Sequence, residues 1–111
     1  MNTQQIEIRN EVIDTIIKQL GGNKFFVMTG SKPHYKDIET ENPFVSIKLI
    51  RNKSGANYLI VQYIRSTDLY KVEFIKLNTK ERKVISNYEN IYSDQLTEIF
   101  ESETGLRTSL F

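Results

Sequence analysis

Between residues 44 and 77 the chain alternates apolar and polar side chains in successive runs separated by short turn sequences. This pattern constrains the fold more than any other feature. In FVSIKLI (44–50), Val45, Ile47 and Leu49 fall on one side and Ser46 and Lys48 on the other, the period of a half-buried strand. LYKVEFIKL (69–77) repeats it, with Tyr70, Val72 and Phe74 directed inward and Lys71 and Glu73 outward. YLIVQYI (58–64) is apolar on both faces, as expected of a central strand or of an edge of the core. The stretches Asn52 to Asn57 and Ser66 to Asp68 are turn sequences. Links this short allow only antiparallel neighbours.

Helical periodicity brackets this block. Ile6, Ile13, Ile16, Ile17 and Leu20 make one apolar stripe over residues 3–20, widened by Ile8 and Val12. Asn2 is a candidate N-cap, and Gly21-Gly22 a stop. KFFVMT (24–29), rich in aromatic and β-branched residues, predicts a short strand ended by the turn residue Gly30. KVISNY (83–88) is a candidate fifth strand. A last helix is expected from about Ser93 to Glu103. Ser93 or Asp94 would cap it, Tyr92, Leu96, Ile99 and Phe100 would be its buried stripe, and Gly105 its C′ residue. The tail has Leu110 and Phe111 to lay on the body. The order α-β-β-β-β(-β)-α predicts one α+β domain over 1–111. Its antiparallel sheet of four or five strands carries an N-terminal and a C-terminal helix on one face.

Little in the chain points to catalysis. There is no cysteine, which excludes disulfides and thiolate metal sites. The one histidine, His34, lies in a segment expected to be a loop, near Ser31 and Asp37. Read as a general base, it has no nucleophile motif beside it. The acidic trio Asp37, Glu39 and Glu41 has no calcium-loop spacing and reads as a solvated loop. Met28 to Lys32 follows a predicted strand but lacks phosphate-loop spacing. No catalytic, metal or cofactor-binding residue is therefore assigned. Charges at Glu7, Arg9, Glu11 and Asp14 break up the N-terminal isoleucines. No apolar stretch is long enough to span a bilayer, so a cytoplasmic protein without a membrane partner is expected.

The net charge of +1 hides a strong asymmetry. Residues 48–83 hold nine basic and three acidic side chains, net +6, whereas residues 84–111 hold one and five, net −4. Lys48, Arg51, Lys53, Lys71, Lys76, Lys80, Arg82 and Lys83 are the candidate basic binding face. Tyr58 and Tyr63 are candidate aromatic contacts near it, because cations neutralise phosphates and rings stack on bases. Glu98, Glu101 and Glu103 form a candidate acidic helix face, suited to a basic partner or to the basic sheet of another copy.

Three stretches carry a resemblance. Leu20-Gly21-Gly22-Asn23-Lys24-Phe25 runs into Met28-Thr29-Gly30. Asp68-Leu69-Tyr70-Lys71-Val72-Glu73-Phe74 follows. Tyr92-Ser93-Asp94-Gln95-Leu96 runs into Phe100-Glu101 and Thr104-Gly105-Leu106. Together they resemble small accessory proteins encoded by phages, plasmids and integrated mobile elements of bacteria, a group that brings no assigned activity. The chain departs from the group's pattern between Ser31 and Asn42. The resemblance implies a bacterial host cytosol and an accessory role, including inhibition of host defence. The leading expectation is a non-catalytic interaction module that binds a host protein through the sheet face or the acidic helix. The alternative is a nucleic-acid-binding protein that uses the basic sheet face. Self-association is compatible with both.

Overall fold

The alternating runs become neighbours in one five-stranded antiparallel sheet. The computed structural model describes residues 3–37 and 41–108, with side chains for 11–34, 36 and 41–108. Its elements are α1 (Thr3–Leu20), α2 (Gly22–Thr29), β1 (Lys32–Asp37), β2 (Phe44–Lys48), β3 (Tyr58–Ile64), β4 (Leu69–Leu77), β5 (Arg82–Ile91), a 3-10 turn (Ser93–Gln95) and α3 (Leu96–Thr104). The strands lie in chain order, so the sheet is a simple meander with β3 at its centre. The expected architecture, an antiparallel sheet with N- and C-terminal helices, is what forms.

Register sorts the side chains. Val45 faces Val61, which faces Val72; Ile47 faces Leu59, which faces Phe74. These six residues form the floor of the core, and all are buried. Ile13, Ile16 and Leu20 of α1, Phe25 of α2 and Leu96 and Phe100 of α3 complete it. The Phe25 and Phe100 rings meet edge to face at 4.9 Å, which joins α2 to α3 above the sheet. The alternate rows, Ser46–Ile60–Glu73 and Lys48–Tyr58–Ile75, lie on the other face.

Several expectations are corrected. Residues 24–29 are helix, not strand. A strand would align residues 25, 27 and 29, but Phe25 and Thr29 are buried while Val27 is 74% exposed, which is helical spacing. Gly21 and Gly22 do end α1, at φ values of 123° and 62° that other residues rarely adopt, and the chain then restarts as a helix. The extra strand comes instead from the segment expected to be a loop. β1 pairs with β2 at the sheet edge, where Pro33 needs no partner for its missing N–H, and the register shifts around His34. Tyr92 is 61% exposed and outside the buried stripe. The last helix is not capped by Ser93 or Asp94. Instead Gln95 Oε1 accepts the Tyr92 N–H at 2.9 Å. Gly105 does close α3, with φ 73° and its N–H donating to the Glu101 carbonyl at 2.9 Å. The Asn2 cap, the Ile6 and Ile8 side chains, the carboxylates of Asp37 and Glu39, and the tail residues Leu110 and Phe111 lie outside the described residues and side chains.

α2 and α3 end alike. In Phe25-x-x-x-Thr29-Gly30 and Phe100-x-x-x-Thr104-Gly105 the threonine hydroxyl donates to the phenylalanine carbonyl, at 2.8 and 2.7 Å. It also accepts the N–H two residues on, from Ser31 at 3.2 Å and Leu106 at 3.1 Å. Carbonyl and amide groups left over at the helix end are thereby satisfied.

The helical reading of 24–29 predicts unequal substitutions. Phe25→Ala should cost about 3–5 kcal/mol, the usual cost of emptying a buried aromatic site, and Val27→Ala less than about 0.5 kcal/mol. Urea unfolding measures both, and comparable losses would favour the strand.

Candidate binding surfaces

In a meander every second connection falls at the same end of the sheet. The link after β2 (residues 49–57) and the turn after β4 (78–81) therefore lie side by side. The start of β1 joins them, since Lys32 is in register with Lys48. Seven of the eight nominated cations, Lys48, Arg51, Lys53, Lys76, Lys80, Arg82 and Lys83, gather at this end, and Lys32 makes an eighth. Glu81 is the one carboxylate within the same two connections. The eighth nominated residue, Lys71, lies elsewhere, in mid-strand on the open face and 3.8 Å from Glu73. The opposite end, by contrast, carries Glu41, Asp68 and Asp94 with Lys36 and Arg65.

The basic end is only weakly neutralised. Among the described residues the ion pairs are Lys71–Glu73 and Arg82–Glu73, each 3.8 Å long. Lys76 and Lys83 stand directly opposite one another across β4 and β5, both exposed. Like charges in that position repel and destabilise the strand pair by a few tenths of a kcal/mol or more.

The loop that holds Arg51 and Lys53 is tied down by its own polar groups. Asn52 Nδ2 donates to the carbonyls of Ile50 and Ala56, both at 2.8 Å. Asn52 Oδ1 accepts from the Ser54 amide at 3.0 Å and from its hydroxyl. Asn57 spans to β4, where Oδ1 accepts the Leu77 N–H at 2.8 Å and Nδ2 donates to the Leu77 carbonyl at 2.9 Å. The Lys53 N–H donates to the Thr104 carbonyl at 3.1 Å, which fixes the loop to the end of α3. Lys76 borders the same open concavity as Arg51 and Lys53, about 390 Å³ in volume. Order of this kind lowers the entropy lost when a ligand binds.

The two nominated tyrosines separate. Tyr58 lies on the open face between Lys48 and Ile75, with its ring 4.9 Å from that of His34. His34, set aside as a catalytic base, is thus an exposed aromatic neighbour at the edge strand. Tyr63 is not near the basic surface. It is on the helix-covered side, beside Tyr70, and its hydroxyl donates to Asp68. That bond, and then burial, raise its pKa above 10.0. The acidic helix face is similarly reduced. Glu98 is exposed, but Glu101 accepts the Thr108 N–H at 3.0 Å. Glu103 accepts from the Ser86 hydroxyl at 3.0 Å and from Tyr88.

Sequence reasoning missed an apolar patch on the open face. Ile60 and Tyr58 are half-buried, Leu77 and Val84 are 40% and 44% exposed, and Ile75, between Tyr58 and Val84 in register, is buried beneath them. Alternation in 69–77 already contained the signal, since Ile75 and Leu77 share the outward parity of Lys71 and Glu73. Among the described residues no helix is long and apolar enough to cross a membrane, and no group of His, Asp and Glu is arranged to hold a metal ion. Comparison with protein families, curated proteins and solved structures gives no match.

The Tyr88–Glu103 contact has a pH signature. Hydrogen bonding to the carboxylate, with burial second, pushes the Tyr88 pKa up to about 12. An unfolded tyrosine loses its proton near 10. The contact therefore contributes fully below about pH 10 and is lost as pH rises towards 12. Urea unfolding from pH 9 to 11.5 should show stability falling less steeply in Tyr88→Phe than in the parent chain. Parallel curves would remove the contact from the account.

Proposed function

We propose that this chain is a non-catalytic binding module of a bacterial mobile element and that its ligand is nucleic acid, held through phosphates at the basic end of the sheet. One observation carries the reading. Seven cations without an ion pair among the described residues converge there, two of them opposed across β4 and β5 and two on a loop already ordered by its own hydrogen bonds. A phosphate backbone would relieve that repulsion and release its own counterions, a favourable term at low salt. The same charges are less suited to blocking edge-to-edge aggregation, because Arg51 and Lys53 lie in a loop and not along a free strand edge.

The patch of Ile60, Leu77 and Val84 favours a second reading, a host protein docked on the open sheet face. Inhibition of host defence belongs to that reading. A host partner would need an apolar contact ringed by carboxylates to meet Lys48, Lys71 and Arg82.

A mobility-shift assay with mixed-sequence DNA and RNA tests the first reading. Binding at 50 mM salt should weaken steeply by 200 mM, and Lys76→Glu/Lys83→Glu should abolish it without unfolding the chain. Absent or salt-insensitive binding would refute it. For the second, a pull-down from nuclease-treated lysate should recover a host protein that Leu77→Glu/Val84→Glu no longer captures.

A further inference from the structure

The basic end adjoins a pair of rings, and this indicates which form of nucleic acid fits. Resting on the nucleic-acid reading above, we infer that the site takes a single-stranded segment, with phosphates along the basic end and a base stacked on the Tyr58–His34 shelf.

Position is the first argument. Tyr58 is opposite Lys48, and Lys48 is opposite Lys32, so the shelf has a cation on each of the two strands beside it. Arg51 and Lys53 continue the cationic line in the loop between β2 and β3, and Arg82, opposite Leu77, extends it on the open face, while the Lys76–Lys83 pair adds charge at the same end from the other face. Five strands at about 4.8 Å spacing make this end roughly 19 Å wide, enough for a few nucleotides and not for a long duplex footprint.

Ring geometry is the second. The His34 and Tyr58 centroids are 4.9 Å apart with planes at 57°, so the rings form a tilted pair and not a closed sandwich. His34 is exposed and Tyr58 half-buried, so the pair retains a surface towards solvent. The register shift around His34 places this ring at the shelf; β1 is otherwise paired regularly with β2.

Base chemistry is the third. In a duplex the base faces are already stacked on one another, and only edges are offered in the grooves. An exposed aromatic ring face beside phosphate-binding cations is complementary to unstacked bases, which every single strand presents whatever its sequence. No motif with base-edge specificity accompanies the shelf, so weak sequence preference is expected.

Fluorescence anisotropy with the intact chain distinguishes the possibilities. The probes are labelled 20-nucleotide oligothymidine, oligouridine and a 20-base-pair DNA duplex. The single strands should bind at least tenfold tighter than the duplex. Contact with about five phosphates would weaken single-strand binding about 100-fold between 50 and 200 mM salt. Tyr58→Ala should weaken single-strand binding by about 5- to 150-fold, leave the duplex unaffected and keep the salt dependence, with Tyr58→Phe close to the parent. Circular dichroism confirms that each variant is folded. Duplex binding as tight as single-strand binding, or an unchanged Tyr58→Ala, would overturn this inference and leave the nucleic-acid reading intact. No binding of any probe would overturn both. The oligothymidine and oligouridine arms decide between DNA and RNA.

Discussion

Covering only one face of the sheet is the constraint on which the rest of this molecule depends. Each of the three helices buries apolar residues on the row of Val45, Ile47, Leu59, Val61, Val72 and Phe74: Ile13, Ile16 and Leu20 from α1, Phe25 from α2, Leu96 and Phe100 from α3. The edge-to-face contact of Phe25 with Phe100 joins helices from the two halves of the chain above that row. Each buried phenylalanine contributes roughly 1.5–3 kcal/mol by removal from water, so this pair is a large part of a small domain's stability. Because the helices occupy one side, the alternate residues Tyr58, Ile60, Leu77 and Val84 are left partly or largely open to solvent without a covering element.

Chain order does the rest. Strands paired in sequence place the 49–57 loop and the 78–81 turn together, and with them nearly all of the excess positive charge. Charge that looks spread over 36 residues of sequence is concentrated at one edge in space. Negative charge does not form a matching surface on α3. Glu101 and Glu103 are used internally, one to hold Thr108 and the other to accept from Ser86 and Tyr88. The chain is polarised from end to end of its sheet, not from sheet to helix.

The parts legible in the sequence were those set by local period. Alternation in 44–77 specified three adjacent strands and the inward set of Tyr70, Val72 and Phe74. The isoleucine stripe specified α1, and Gly105 the end of α3. The composition of 24–29 favours a strand, but tertiary packing of Phe25 and Thr29 on one helical face decides for helix. A cue was available in the shared Phe-x-x-x-Thr-Gly ending of α2 and α3. β1 was illegible because an edge strand holding a proline and a bulge has no clean alternation. Of the site, the cations were legible by charge alone. Their convergence, the pairing of His34 with Tyr58 and the removal of Tyr63 to the other face required the register.

One end of the sheet, and not the helical side, is the surface proposed to hold a nucleic acid. Amide chemical shifts of the isotope-labelled chain, followed during titration with oligothymidine, test this most directly. Perturbations are expected at Lys32 and His34, through 48–58 and through 76–83, with α3 unmoved before its last residues. Shifts centred on α1 and α3, or none at saturating oligonucleotide, would contradict this placement.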